Sequence, residues 1–223
     1  YRVGPFSKLY SFLLYNRGVR QRRSQVEMHE TDYNLQLLRR LGIRVGTRSV
    51  ATKVDIPDEI RAKAAAWLKE KGWREEIPLV VVHPGMGNSA LNWPETHYIE
   101  LIKALLKDGR HVLMTVGPAE TALAERIGQA LGPARDQLWV YSNTTGDPIT
   151  FLGALYGWGT LVVAPSTGPM HLAVALGKPV VTFYPPIRVQ SAVRWGPYLP
   201  DEERASVLVP EVYCGEDFHC RGS

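Results

Sequence analysis

The sequence predicts an α/β chain built on a doubly wound, open parallel sheet of Rossmann-like type. Three observations predict it. From Leu79 onward, short β-branched runs alternate with segments whose apolar residues recur at helical spacing. Several of the helical segments stop at a glycine, among them Gly72, Gly109 and Gly177. Residues 161–183, LVVAPSTGPMHLAVALGKPVVTF, read as strand, tight small-residue loop, helix and strand, a complete βαβ unit.

The elements follow in order. Residues 6–16 suit an amphipathic helix. Segment 24–41 is a stronger one: Ser24 caps it, Glu27 holds the capping-box position, Leu35, Leu38 and Leu41 mark its apolar face, and Gly42 ends it. Residues 43–56 read as a connector. Pro57 opens a helix over 57–71. Five strands are expected at 79–82, 111–116, 137–141, 161–164 and 180–184, with helices at 94–107, 119–131 and 149–158 and the helix after Thr167 between them. In such sheets ligands sit at the carboxyl ends of the strands, so the loops 83–93, 117–120, 142–148, 164–169 and 185–191 are the candidates for chemistry. The tail 197–223, rich in Pro, Glu and Asp, reads as peripheral.

With 223 residues, 45% hydrophobic and 22% charged, the composition is that of an ordinary globular chain. The net charge of +4 is local: residues 17–23, RGVRQRR, hold four arginines, and Arg39, Arg40, Arg44 and Arg48 follow. Such a cluster is either a solvated surface or the footprint of a phosphate, a carboxylate or an anionic membrane. No apolar run approaches the ~18–20 residues that span a bilayer, and the first residues do not read as a signal peptide. Cys214 and Cys220 could form a disulfide or half a metal site, but two thiols do not specify a metal, and reduced thiols in the cytoplasm are the favoured reading.

Two loops carry most of the functional signal. Ser166-Thr167-Gly168-Pro169 opens a helix N-terminus, where free N–H groups and the helix dipole favour an anion, and Met170 and His171 lie within its first turn. The bland alternative is an ordinary turn with a packed histidine. After the first strand, residues 83–94 read HPGMGNSALNWP. Gly85, Met86 and Gly87 allow close backbone approach, Asn88, Ser89 and Asn92 offer side-chain hydrogen bonds, and Trp93 launches the next helix. The loop matches neither G-x-G-x-x-G nor a P-loop, which weighs against a nicotinamide cofactor and ATP hydrolysis. Glu120, at the start of a helix, either complements the dipole or accepts ribose hydroxyls. No catalytic triad, H-E-x-x-H or paired-carboxylate pattern stands out.

Taken together, HPGMGNSALNWP, Gly117-Pro118-Ala119-Glu120 and STGPMHLAVALGKPVV resemble glycosyltransferase family 9, the heptosyltransferases of lipopolysaccharide inner-core synthesis. The resemblance is strong over 75–196 and weaker over 1–45. It implies the C-terminal half of a GT-B glycosyltransferase. Residues 1–45 would then be the end of an N-terminal acceptor domain, 46–74 an interdomain connector and helix, 75–196 the nucleotide-sugar domain and 197–223 a tail. The implied donor is ADP-L-glycero-D-manno-heptose, and the implied acceptor a Kdo- or heptose-bearing lipid A precursor at the cytoplasmic face of the inner membrane. Transfer would invert the anomeric centre without cofactor, metal or nucleic acid. On the same resemblance, Ser89 and its neighbours would meet the donor phosphates, Glu120 the nucleoside, and Thr167 to His171 the diphosphate and sugar.

Arg20, Arg22, Arg23 and His29 would suit an acceptor-side basic patch. The catalytic base is expected early in the N-terminal half, outside this chain, which alone would bind nucleotide and turn over poorly. Two departures are notable: Ser166 stands where many members have Asp, and Leu91 and Asn92 where many have Lys. They leave room for a different nucleotide-sugar transferase or epimerase, or a non-catalytic nucleotide-binding module.

Overall fold

The structure, a computed structural model, describes residues 1–48, 50–87, 91–132, 136–143, 146–199 and 204–210. Its body is a six-stranded parallel sheet. The strands are β3 (Leu79–Val82), β4 (His111–Val116), β5 (Leu138–Ser142), β6 (Leu161–Val163), β7 (Val180–Phe183) and β8 (Ala205–Leu208), in the spatial order β5-β4-β3-β6-β7-β8. Counted from β3, that is the 3-2-1-4-5-6 order of dinucleotide-binding folds. The chain reverses direction across the sheet between β3 and β6, so the loops after those two strands flank the switch point, where a crevice opens.

Parallel strands covered on both faces read as unbroken apolar runs, and all four residues of β3 are buried. Alternate side chains feed two cores. Leu79, Val81, Leu113, Tyr141 and Val162 face α3 (Asp58–Glu70), α6 (Ile149–Trp158) and α7 (Gly168–Ala175), against Leu68, Leu155 and Met170. Val80, Val82, Val112, Met114 and Val163 face α4 (Glu95–Lys107) and α5 (Thr121–Leu131), against Tyr98, Ile102 and Ile127. Gly72, Gly109 and Gly177 adopt φ of +94°, +73° and +70°, the left-handed conformation a helix stop requires.

The five expected strands form within a residue of their bounds, but the tail is not peripheral: Val180–Phe183 pairs in parallel with Ala205–Leu208, adding a sixth strand. The acidic and proline-rich residues around it hide a short edge strand whose burial is partial.

The N-terminal expectations need more correction. Residues 6–16 form one helical turn, α1 (Ser11–Leu14), between two short parallel strands, β1 (Val3–Pro5) and β2 (Arg17–Val19). The strand pairing continues through Phe6, whose amide donates to the Val19 carbonyl at 2.9 Å, and the helix starts only at Ser11. Segment 24–41 does not begin at Ser24. Val26 sits at φ +51°, which breaks the helical path, and the cap is His29, whose Nδ1 accepts from the Thr31 amide at 3.0 Å. Helix α2 (Glu30–Gln36) runs on into a 3₁₀ turn over Leu37–Leu41 and stops at Gly42, φ +82°.

This N-terminal segment docks on the chain that follows β7. His29 Nε2 lies 2.9 Å from the Gly196 carbonyl, and the Tyr198 hydroxyl donates to Asp32 Oδ1 at 2.7 Å. Arg188 donates to the Gln25 carbonyl at 2.5 Å, and Arg194 Nε to Glu30 Oε2 at 3.0 Å.

Candidate functional site

A cleft of about 640 Å³ lies at the switch point. Met86, from the loop after β3, forms one side. Ser166, Thr167, Gly168 and His171, from the β6 loop and α7, form the floor. Val189, Gln190, Arg194 and Trp195, from the chain after β7, close the other side.

The first turn of a helix leaves N–H groups without intrahelical acceptors. In α7, Met170 and His171 turn theirs back on the Thr167 carbonyl at 3.1 and 3.4 Å, Pro169 has none, and Gly168 lies in the cleft lining. Thr167 occupies the N-cap position, yet its side chain makes no capping hydrogen bond. A threonine at this position ordinarily caps; here its hydroxyl is not committed to the helix. His171 is held neutral, its pKa lowered to about 4 by burial and secondarily by the neighbouring His29. At neutral pH its imidazole carries one N–H donor and one acceptor.

The loop after β3 is organised around Glu120. One carboxylate oxygen accepts from the Met86 and Gly87 amides at 2.8 and 2.9 Å, and the other accepts from the Gly117 amide at 3.0 Å. Burial works against the charge, but these three N–H groups and His83 outweigh it, and the Glu120 pKa falls below the usual carboxylate value. Glu120 therefore fills the anion nest that the glycine loop builds. A Cβ on Gly85 would stand 1.9 Å from Glu120 Oε2, so the pairing requires glycine there. Beneath the loop, His83 Nδ1 lies 2.9 Å from Thr115 Oγ1, which lies 2.9 Å from the buried Tyr156 hydroxyl.

The structure divides the donor residues read from the sequence. Met86, Ser166, Thr167, Gly168 and His171 share the cleft. Gly85, Gly87, Asn92 and Glu120 line a smaller depression beside it, with Met86 between the two. Asn92 is occupied structurally: it donates to the Pro84 carbonyl at 2.6 Å and accepts from Tyr98 and from the Trp93 amide. Trp93 stacks on Phe183 with ring centroids 4.5 Å apart and walls a separate apolar groove. The Met170 side chain is fully buried in the core. Asn88, Ser89, Cys214 and Cys220 lie outside the described residues.

The four basic residues do not act alike. Arg20 and Arg22 are exposed. Arg23 pairs with Glu30 and bonds Gln21 and Asn34. His29 is 5% exposed and its pKa is lowered, chiefly by burial, so it contributes a cap and a tether rather than surface charge. Sequence reading missed Arg194 and Trp195, because nothing local marks a residue brought to the site from beyond the last expected strand. Among the described residues, no three His, Cys, Asp or Glu side chains gather as metal ligands, and no helix is long and apolar enough to cross a membrane.

Strand order, switch-point crevice and helix N-terminus together define an α/β domain of the Rossmann type, with its ligand side at the carboxyl edge. More particularly, the chain belongs to glycosyltransferase family 9 (heptosyltransferase), whose family model matches residues 6–221. It is 32% identical over 204 residues to a putative glycosyltransferase of Haemophilus influenzae, covering 88% of this chain and 57% of that protein. The Escherichia coli ADP-heptose lipopolysaccharide heptosyltransferase II has a similar fold, with a TM-score of 0.73 at 19% identity, over 93% of this chain and 61% of that one. So does the Escherichia coli heptosyltransferase WaaC solved with ADP, with a TM-score of 0.59 at 22% identity, over 88% and 54%. The chain thus spans little more than half the length of these relatives.

Proposed function

We propose that this chain is the donor-binding half of an inverting GT-B heptosyltransferase. On this reading the whole protein moves a heptose from ADP-L-glycero-D-manno-heptose to a Kdo- or heptose-bearing lipid A precursor. The work is cytoplasmic, at the inner face of the inner membrane, with no cofactor. Family membership supports the transferase class, and the ADP held by the WaaC relative supports the nucleotide. The observation that carries the reading is Thr167: an N-cap residue that does not cap, beside Gly168 and a neutral His171 in the switch-point cleft.

The chemistry suits that arrangement. As the bond between the anomeric carbon and the phosphate oxygen breaks, the departing diphosphate gains negative charge. The α7 N-terminus, the Thr167 hydroxyl and the His171 N–H are donors already placed to receive it, which lowers the barrier more than the same groups would in water. The acceptor hydroxyl attacks from the opposite face, so the centre inverts, and its proton passes to a base on the acceptor side, a role given to none of the residues above.

Calorimetric titration of the chain with ADP, UDP and NAD tests the reading. ADP is expected to bind, and Thr167→Ala or His171→Ala to weaken it about tenfold each, the scale of a hydrogen bond to a charged group. Heptosyl transfer by the chain alone is expected to be weak or absent. Tighter binding of UDP would keep the cleft and change the donor. NAD binding unaffected by either substitution would overturn the reading.

A further inference from the structure

A diphosphate in this cleft would be held more tightly by a cation beside the hydrogen-bond donors. The loop before Trp93 offers none, since Leu91 is exposed and apolar and Asn92 is committed to Pro84, Trp93 and Tyr98. Of the described residues that line the cleft, Arg194 alone carries a full charge at neutral pH.

Arg194 is held in place. Its Nε donates to Glu30 Oε2 at 3.0 Å, with side-chain exposures of 18% and 12%. Its guanidinium lies 4.8 Å from the Trp195 ring centre. Trp195 is itself anchored: its Nε1 donates to the Val189 carbonyl at 3.0 Å, and its carbonyl accepts from the Tyr184 hydroxyl at 2.6 Å. The terminal guanidinium nitrogens have no hydrogen-bond partner among the described residues.

Glu30 does not neutralise the group, because the same carboxylate also pairs with Arg23. Two guanidinium groups share one carboxylate, and the cluster keeps a net positive charge. Such a fork, fixed at Nε and open at its terminal nitrogens, matches phosphate oxygens in bidentate fashion.

We infer that Arg194, oriented by Glu30, binds the diphosphate of the donor across the cleft from Thr167, an inference that rests on the donor-binding reading above. Arg194 touches the ligand, and Glu30 is a positioning residue. Because Glu30 lies on α2, the N-terminal segment thereby helps to shape the donor site, although the cleft lining itself comes from residues 86 to 195.

The test is calorimetry on the full chain with adenosine, AMP and ADP, or the uridine series if that base binds. Wild type is compared with Arg194→Lys, Arg194→Gln and Glu30→Gln. The expected result is a loss of about tenfold or more for ADP in Arg194→Gln, with adenosine unchanged. Arg194→Lys should lose less, since it keeps the charge but not the fork. Glu30→Gln should weaken ADP several-fold, again sparing adenosine. Added salt should weaken ADP binding more steeply in wild type than in Arg194→Gln.

ADP affinity within about twofold of wild type in Arg194→Gln would overturn the assignment and leave the donor reading standing. An equal fall for adenosine and ADP would show a merely structural role and overturn it as well. A wild-type chain that binds neither ADP nor UDP would overturn both readings together.

Discussion

Gly85→Ala is expected to remove about 2–4 kcal/mol of stability and most nucleotide affinity, although it adds one methyl group. The methyl carbon would stand 1.9 Å from Glu120 Oε2 and 2.4 Å from its carboxyl carbon. The carboxylate must move, and the amides of Met86, Gly87 and Gly117 lose their acceptor. Hydrogen bonds to a charged group contribute about 1.5–3 kcal/mol each, and their loss is larger where the donor stays buried. Three are at risk, and partial resolvation brings the net figure down. Glu120→Ala should cost a similar amount by a different route. The double variant should then cost little more than either single one, because both break the same contact. Urea denaturation of the four proteins checks this: additive losses would mean that Gly85 and Glu120 act separately, and that the carboxylate does not organise the loop.

Lowering the pH from about 6.5 to 4 is expected to destabilise the fold by about 3 kcal/mol through His83 alone. Burial lowers the His83 pKa from 6.5 to about 4, against a smaller upward pull from Glu120. The sign follows from proton uptake. Between those two values the unfolded chain binds a proton at this histidine and the folded chain does not, so stability falls as pH falls. Lowering that pKa from 6.5 to about 4 corresponds to about 3 kcal/mol at the bottom of the window. His171, lowered to about 4 in the same way, adds in the same direction, by less because it is partly exposed. Glu120 acts at more acid pH: its lowered pKa stabilises the fold above the ordinary carboxylate value, and that contribution is lost as pH falls through the lowered one. Urea midpoints from pH 7.5 to 4 check the argument, with His83→Gln as the control. The variant should be less stable at pH 7, having disturbed the bond to Thr115, yet show a shallower decline on acidification. An equal slope in both proteins would show that His83 is not the titrating group.

These two predictions rest on contacts that sequence reading reached unevenly. Strands β3 to β7 were legible because strands buried on both faces spell themselves as apolar runs, and helices α4, α5 and α7 end at glycines that need positive φ. The helix at Thr167 was legible for the same reason. What the pattern concealed was tertiary. Ser24 and Glu27 form a sound capping signature, but His29 caps instead, because its other ring nitrogen is tied to Gly196, 167 residues away in sequence. Met170 reads as a loop neighbour of the ligand, whereas its side chain turns into the core. Glu120 reads either as a complement to its helix dipole or as an acceptor of ribose hydroxyls, and the fold adds a contact that neither reading includes, with the backbone of a loop 33 residues earlier. Arg194 carries no local signature; it comes to the cleft because Glu30 and Trp195 hold it there. Periodicity and turn chemistry report what each segment does with its neighbours. They do not report which distant segment a side chain will meet.

The most direct test of donor binding in this cleft is a crystal structure of this chain grown with ADP. The diphosphate is expected in the switch-point cleft, within hydrogen-bonding distance of the Thr167 hydroxyl and the Gly168 amide, with His171 and Arg194 as its flanking side chains. ADP bound elsewhere on the chain, or a diphosphate seated in the nest now filled by Glu120 while Thr167 and Arg194 stand clear of it, would overturn the assignment of this cleft to the donor.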